Sequence, residues 1–163
     1  GERGMEGAVM ELFLPCLYAF LACLGFCVLF RINGLGAVLC SLGGALAWLV
    51  YLLTGSAMGE NDILQYFWAA VFLSAYAEVM ARVRKCPATG YLLIAFIPLV
   101  PGAGIYNMMD AALRGDTQDF LTTGLHTLSI AGALAVGVLI VSSLVRMYNM
   151  LQRRRRTGKE EGP

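Results

Sequence analysis

The run Ile97-Pro98-Leu99-Val100-Pro101-Gly102-Ala103-Gly104-Ile105-Tyr106 has the most distinctive chemistry in the chain. Pro98 has no N–H, so in a helix the carbonyl of Ile94 loses its partner, and Pro101 does the same to the carbonyl of Ile97. Each proline also pushes the residue before it, Ile97 or Val100, away from helical angles. Gly102 and Gly104 permit further departures from the helix. If a second helix restarts at Pro101, its first open N–H groups belong to Gly102, Ala103 and Gly104. They carry the positive end of the helix dipole, which suits a carboxylate. The freed carbonyls of Ile94 and Ile97 suit an ammonium group or a cation. This combination describes a cradle for a small zwitterion. A simple proline kink is the plainer reading, but two prolines three apart followed by Gly-x-Gly exceed what a kink needs. A second constellation is Glu78 and Arg82, one helical turn apart. They form either an ion pair or a carboxylate that faces a cavity and takes a proton or a substrate's amine.

The composition says what must hold these groups. The chain has 163 residues, is 58% hydrophobic and 14% charged, and carries a net charge of +1. A typical soluble domain is about 45–50% apolar and about 25% charged, so too few charges remain here to coat a soluble surface. Disorder and nucleic-acid binding are excluded on the same grounds. A bilayer core of about 30 Å needs about 20 apolar residues in a helix. Five stretches qualify, at residues 8–30, 35–54, 63–81, 88–109 and 120–145. The expected fold is therefore all-α: a polytopic membrane bundle of five transmembrane helices, the fourth broken at Pro98–Gly104. Residues 1–150 form one transmembrane domain and residues 151–163 a basic cytoplasmic tail. Short polar connections make sequential helices antiparallel neighbours and leave no room for a soluble domain.

Basic residues are retained on the cytoplasmic side. With the C-terminus inside, Arg31, Arg82, Arg84, Lys85, Arg146, Arg153, Arg154, Arg155, Arg156 and Lys159 are cytoplasmic, and only Arg3 and Arg114 are outside. Glu60, Asp62, Asp116 and Asp119 then fall outside. The expected orientation is N-terminus out and C-terminus in, in a plasma or inner membrane. The leader, with Glu2, Arg3 and Glu6, lacks the net positive charge of a cleaved signal, so the first span reads as a signal anchor or plain helix. The arginine run 153–156 reads as a positive-inside anchor, with anionic lipid as a secondary contribution.

Intramembrane acids are costly and usually face protein or water, which gives Glu78 its two readings: border ion pair or cavity-facing carboxylate. Ser74 and Tyr76 lie just deeper. Asn107 and Asp110 follow Tyr106 and either line an exit or belong to the outer loop. Glu11 and His126 sit near span ends, where a snorkelling or hydrogen-bonded structural role is expected. Of five cysteines, Cys16, Cys23, Cys27 and Cys40 lie in apolar runs. There is no CxxC pair and only one histidine, so neither a metal site nor a disulfide framework is expected. The thiols read as small packing groups. No cofactor is expected. No nucleophile–His–acid arrangement, phosphate loop or HExxH occurs, so an enzyme is not expected. Gly43-x-x-x-Ala47 and Ala133-x-x-x-Gly137 are small-xxx-small patterns that let helices approach closely in lipid, within this bundle or against a partner.

Ala77-Glu78-Val79-Met80-Ala81-Arg82, Cys86-Pro87-Ala88-Thr89, and Ile97-Pro98-Leu99-Val100-Pro101-Gly102 with Tyr106 resemble the threonine/serine exporter family. The resemblance runs from about Leu12 to Arg146 and is to the small, purely membrane-embedded part of that family. It implies ion-gradient-driven export of small amino acids such as threonine and serine. It also implies a larger partner subunit with a soluble cytoplasmic domain. Some split members are similar but associated with dicarboxylates such as succinate. An odd number of spans starting outside is inverted relative to a five-span partner starting inside, which suits an inverted pair around a midplane site. On this reading Pro98, Pro101, Gly102, Ala103 and Gly104 bind substrate, Tyr106 closes the site, and Glu78 with Arg82 couples the proton or ion. A homo-oligomer, or a scaffold subunit with no substrate path, are the other expectations.

Overall fold

The chain is described from a computed structural model, which covers residues 2–32, 34–59, 61–84 and 88–160. Within these, the side chains of 2–9, 11, 58, 88 and 153–160 are not described. The expectations for Arg3, Glu11, Glu60, Lys85, Cys86, Pro87 and the side chains of the 153–156 arginine run and Lys159 lie outside that description.

The described residues form helices α1 (Glu2–Leu29), α2 (Leu35–Met58), α3 (Asp62–Arg84), α4 (Ala88–Phe96), α5 (Gly102–Leu113) and α6 (Thr117–Glu160). A single 3₁₀ turn, Ile97–Leu99, lies between α4 and α5. Four of the helices are long and apolar enough to cross a membrane, and the α4–α5 pair, bent by 52°, has the length and composition of a fifth when taken as one broken span. The fold expected from composition is the fold observed. Charge placement supports the local choices. Asp62 stands in the first turn of α3 and Arg82 and Arg84 in its last, each complementing the dipole at its end. Asp116 Oδ1 accepts the Asp119 N–H at 3.0 Å and caps α6. The turn before it uses Gly115 at φ 75°, a left-handed conformation that costs glycine least. α6 has 44 residues, or ~66 Å at about 1.5 Å per residue, so it outruns a bilayer core. The chain after residue 145 continues the helix without a break as far as Glu160.

Packing is uneven. α2 lies against α1, α3 and α4, while α3 lies against α2, α4 and α6. Two buried clusters hold this part together. One joins Ala47, Ala69, Ala70, Leu73, Ala95, Leu99, Ile130 and Leu134. The other joins Cys23, Cys27, Cys40, Ala77, Tyr91 and Ile94. Since lipid is as apolar as leucine, close van der Waals contact rather than water exclusion must hold these helices together, and small residues make it possible. The Gly43–Ala47 pattern is spent inside the bundle. A Cβ on Gly43 would stand 2.6 Å from the Tyr76 ring, and one on Gly44 would collide with Cys23 Sγ. The Tyr76 hydroxyl donates to the Leu39 carbonyl at 2.8 Å, so the ring that needs the glycine also ties α3 to α2. In the second pattern only Gly137 is buried in an interface. A Cβ there would be 2.9 Å from the Ala70 Cβ and 3.1 Å from the Phe67 carbonyl.

Candidate functional site

The break falls midway along the fourth span. α4 runs to Phe96, the 3₁₀ turn follows, Val100 is extended (φ −62°, ψ 127°), and Pro101 caps α5 at φ −75°, ψ 58°. Restart at Pro101 therefore matches the reading of the two prolines. The state of the backbone groups matches only in part. The Gly102 N–H is not open, because it donates to the Val100 carbonyl at 2.7 Å. The N–H groups of Ala103 and Gly104 have no partner among the described residues. The carbonyls expected to be free are both used. Ile97 O accepts the Val100 N–H at 3.2 Å, and Ile94 O accepts the Cys23 thiol at 3.5 Å. Of the three N–H groups expected to face a carboxylate, two are open, and the two carbonyls expected to face an ammonium each already accept one hydrogen bond within the chain. The use of Ile94 O is not readable from the sequence, because Cys23 lies 71 residues away.

The two faces of α5 differ. Pro101, Ile105 and Met108 line an apolar cavity of about 810 Å³ with Leu92 and Phe96 of α4 and Leu128 of α6. Gly104 sits against α6, where a Cβ would collide with Thr127 Oγ1. Thr127 is buried and turns its hydroxyl to the Thr123 carbonyl at 2.7 Å. Gly102, Ala103 and Tyr106 lie on the opposite face, and Tyr106 is 71% exposed. Asn107, one turn after Ala103, is also exposed. Of the two residues with open N–H groups, Ala103 is therefore exposed, whereas Gly104 is packed against α6.

Glu78 and Arg82 are in another place. They line a groove of about 480 Å³ between α3 and α6, which shares no lining residue with the cavity at the break. They do not pair with each other. Arg82 Nη2 donates to Asn149 Oδ1 at 3.1 Å, and its guanidinium lies 5.8 Å from the centre of the Tyr148 ring. Among the described residues Glu78 has no ion-pair partner. The groove is otherwise apolar, lined by Ala75, Val79, Val141 and Leu144 among others. The border ion pair is therefore replaced by a clamp from Arg82 to α6, and Glu78 is left as a lone carboxyl in an apolar groove.

Other ionisable groups tie the opposite end. Arg114 meets Asp110 at 3.1 Å and Asp119 at 3.5 Å, bracketing the α5–α6 turn. His126 Nε2 is 3.7 Å from Asp62 Oδ2 and links α6 to α3. Asp110 thus belongs to the turn rather than to an exit. Among the described residues no cluster of histidine, cysteine and acidic side chains has the geometry of a metal site.

The family described as "Threonine/Serine exporter, ThrE" matches residues 15–144, which takes in both the break and the Glu78–Arg82 pair and stops short of Tyr148 and Asn149. No curated protein and no solved structure matches the chain significantly.

Proposed function

The chain belongs to the threonine/serine exporter family, and from that premise we propose that it is one half of a secondary exporter for a small amino acid such as threonine or serine. The other half is a larger membrane subunit with a soluble cytoplasmic domain. The observation that carries this reading is the pair of unpartnered N–H groups on Ala103 and Gly104, at the start of α5 and midway through a span. Irregular backbone at that depth is tolerated only against protein or a water-filled cavity. No described residue covers the face that bears Ala103, and a second body there completes the site. The substrate's carboxylate sits on the two N–H groups at the positive end of α5. Asn107, one turn on, offers an amide to the hydroxyl or ammonium. Pro98 and Pro101 hold the break open, Gly102 keeps the approach clear, and Tyr106 closes over the substrate. The ammonium finds its main partner on the other subunit, because Ile94 is buried and its carbonyl and that of Ile97 each already hold a donor of this chain.

Glu78 carries the coupling proton in this scheme. It lies away from the break, so it acts on the α3–α6 seam rather than on the substrate. Arg82, one turn away, is the cation that an ionised Glu78 attracts. Its present clamp to Asn149 is the alternative arrangement. The chain sits with its N-terminus out and C-terminus in, in the cell membrane, with residues 151–160 as the basic cytoplasmic end of α6. A dicarboxylate asks for a second cation near the break. Arg82 is engaged elsewhere, which disfavours succinate.

The test is efflux of labelled threonine from preloaded proteoliposomes holding this chain, the larger subunit, or both. Efflux from the pair alone is expected. Efflux from this chain alone points to a homo-oligomer, and no efflux of threonine or serine from the folded pair refutes the reading in favour of succinate or a scaffold.

A further inference from the structure

We propose that Cys23 is a positioning residue for the broken span, its thiol standing in for the N–H that Pro98 lacks and so setting the angle at which α5 leaves α4. The inference rests on the reading that the break is the substrate site, but the lock itself stands on geometry. Ile94 is 1% exposed and Cys23 is fully buried. Pro98 leaves the Ile94 carbonyl without its helical donor, and a buried carbonyl without a partner is expensive in lipid. Cys23 Sγ reaches it from α1 at 3.5 Å. The space for the sulfur comes from a third helix, since a Cβ on Gly44 of α2 would collide with Sγ and come within 3.5 Å of the Ala95 carbonyl. One residue from each of α1, α2 and α4 therefore meets at the point where the helix ladder fails.

A hydroxyl would not do the same. Ser41, Thr54, Thr127 and Ser129 all turn back to the carbonyl one turn earlier in their own helix, at 2.7–2.9 Å. This is the usual habit of helical serine and threonine. The thiol is a weak donor with less hold on its own backbone, and it crosses to α4 instead. Buried at the α1–α2–α4 junction, the bond fixes Ile94 and so fixes the base from which the 52° bend is measured.

The experiment uses the full chain, intact and as Cys23→Ala, Cys23→Ser, Pro98→Ala and the Cys23→Ala/Pro98→Ala pair. The infrared difference between the intact chain and Cys23→Ala isolates the Cys23 S–H stretch. It is expected at lower wavenumber than a free thiol, and it returns toward the free position in Pro98→Ala, where residue 98 supplies its own N–H to Ile94. Thermal unfolding should show the same coupling, the Cys23→Ala midpoint loss being about 2–4 °C larger with Pro98 present than with alanine there. Cys23→Ser should fail to restore the midpoint, because its hydroxyl turns to the Ala19 carbonyl. A band at the free position in the intact chain, a band indifferent to Pro98→Ala, or fully additive midpoint losses would each overturn the lock. Efflux from the reconstituted exporter is a separate arm. Cys23→Ala should raise the threonine concentration for half-maximal efflux about tenfold, the scale of one unmade buried hydrogen bond. A coupled band with unmoved efflux keeps the lock and instead refutes the break as the substrate site.

Discussion

α4 and α5 are two halves of one span with opposite surroundings. α4 and the turn after it bury Tyr91, Ile94, Ala95 and Leu99 against α1, α2 and α3. α5 buries only Ala111, and its backbone comes close to that of α6 and of no other helix among the described residues. The α4 backbone keeps its distance from α6, which it meets only through side chains such as Ala95 in the cluster with Ile130 and Leu134. The break is thus the border between a half that belongs to the bundle and a half that hangs from α6. If the span bends in use, α5 and α6 move together, and the rest of the bundle is the frame they move against. The same difference explains why Gly104 has no room for a side chain while Gly102, two residues earlier, meets nothing within 4 Å.

The largest test of this contrast is a matched pair of truncations. Leu99→Ala removes a fully buried side chain from the 3₁₀ turn. It should cost about 2–5 kcal/mol, as core leucines do, because the atoms lining the vacated space are left without van der Waals partners. Leu113→Ala removes one that is 87% exposed at the end of α5, and should stay within about 0.5 kcal/mol. Denaturant unfolding in the same detergent compares them. Equal losses would erase the distinction between the two halves.

A middle-sized effect tests the one firm contact of α5. Gly104→Val drives new atoms into Thr127 and should cost about 1–3 kcal/mol by overpacking. It should also reduce threonine efflux, because α5 must lift away from α6 and carry the open N–H groups of Ala103 and Gly104 with it. Thr127→Ala in the same chain removes the obstructing hydroxyl and methyl, and should recover part of both losses. Recovery of stability without efflux would separate packing from the site.

Glu78→Gln should be smaller still in stability, within about 0.5 kcal/mol, since no ion pair is broken. Its signature lies in coupling. Efflux should lose its dependence on an imposed pH gradient while the folded fraction, read by size-exclusion chromatography, stays unchanged. A pH-gradient response equal to that of the parent would remove Glu78 from the transport cycle.

How much of this is legible in the sequence follows the range of the interaction. The spans, the break and the restart at Pro101 depend on apolar run length and on what proline does to its own neighbours, so they can be read locally. The engagement of Gly102 cannot, because its N–H turns back two residues to Val100, a detail set by the extended angles at Val100 rather than by residue type. The engagement of Ile94 cannot either, because its new partner sits on α1. The Glu78–Arg82 spacing predicts an ion pair, but it does not reveal that Asn149 and Tyr148 compete for the same guanidinium from α6. Spacing along one helix says which groups can meet, and only the packing of the second helix says which do.

That competition yields the last prediction and a sharp one. Arg82 is a surface-facing clamp with one exposed hydrogen bond to a neutral amide and one ring contact, and exposed cation–π contacts are worth about 0.5–1 kcal/mol. Arg82→Ala should therefore lower stability by no more than about 1 kcal/mol. Arg82→Lys keeps the charge but loses the planar fork that bonds Asn149 while lying over Tyr148, so it should resemble the alanine variant if the clamp to α6 matters. If instead Glu78 attracts Arg82 during the cycle, charge alone suffices and lysine should behave like arginine in efflux. Comparing the lysine variant in unfolding and in efflux asks whether Arg82 serves the resting contact, the moving one, or both. Lysine equal to alanine in unfolding and equal to arginine in efflux is the outcome expected when the α3–α6 seam both clamps and switches. Lysine equal to alanine in both would leave Arg82 as a clamp alone, and the coupling role would then fall to Glu78 without a cationic partner from this chain.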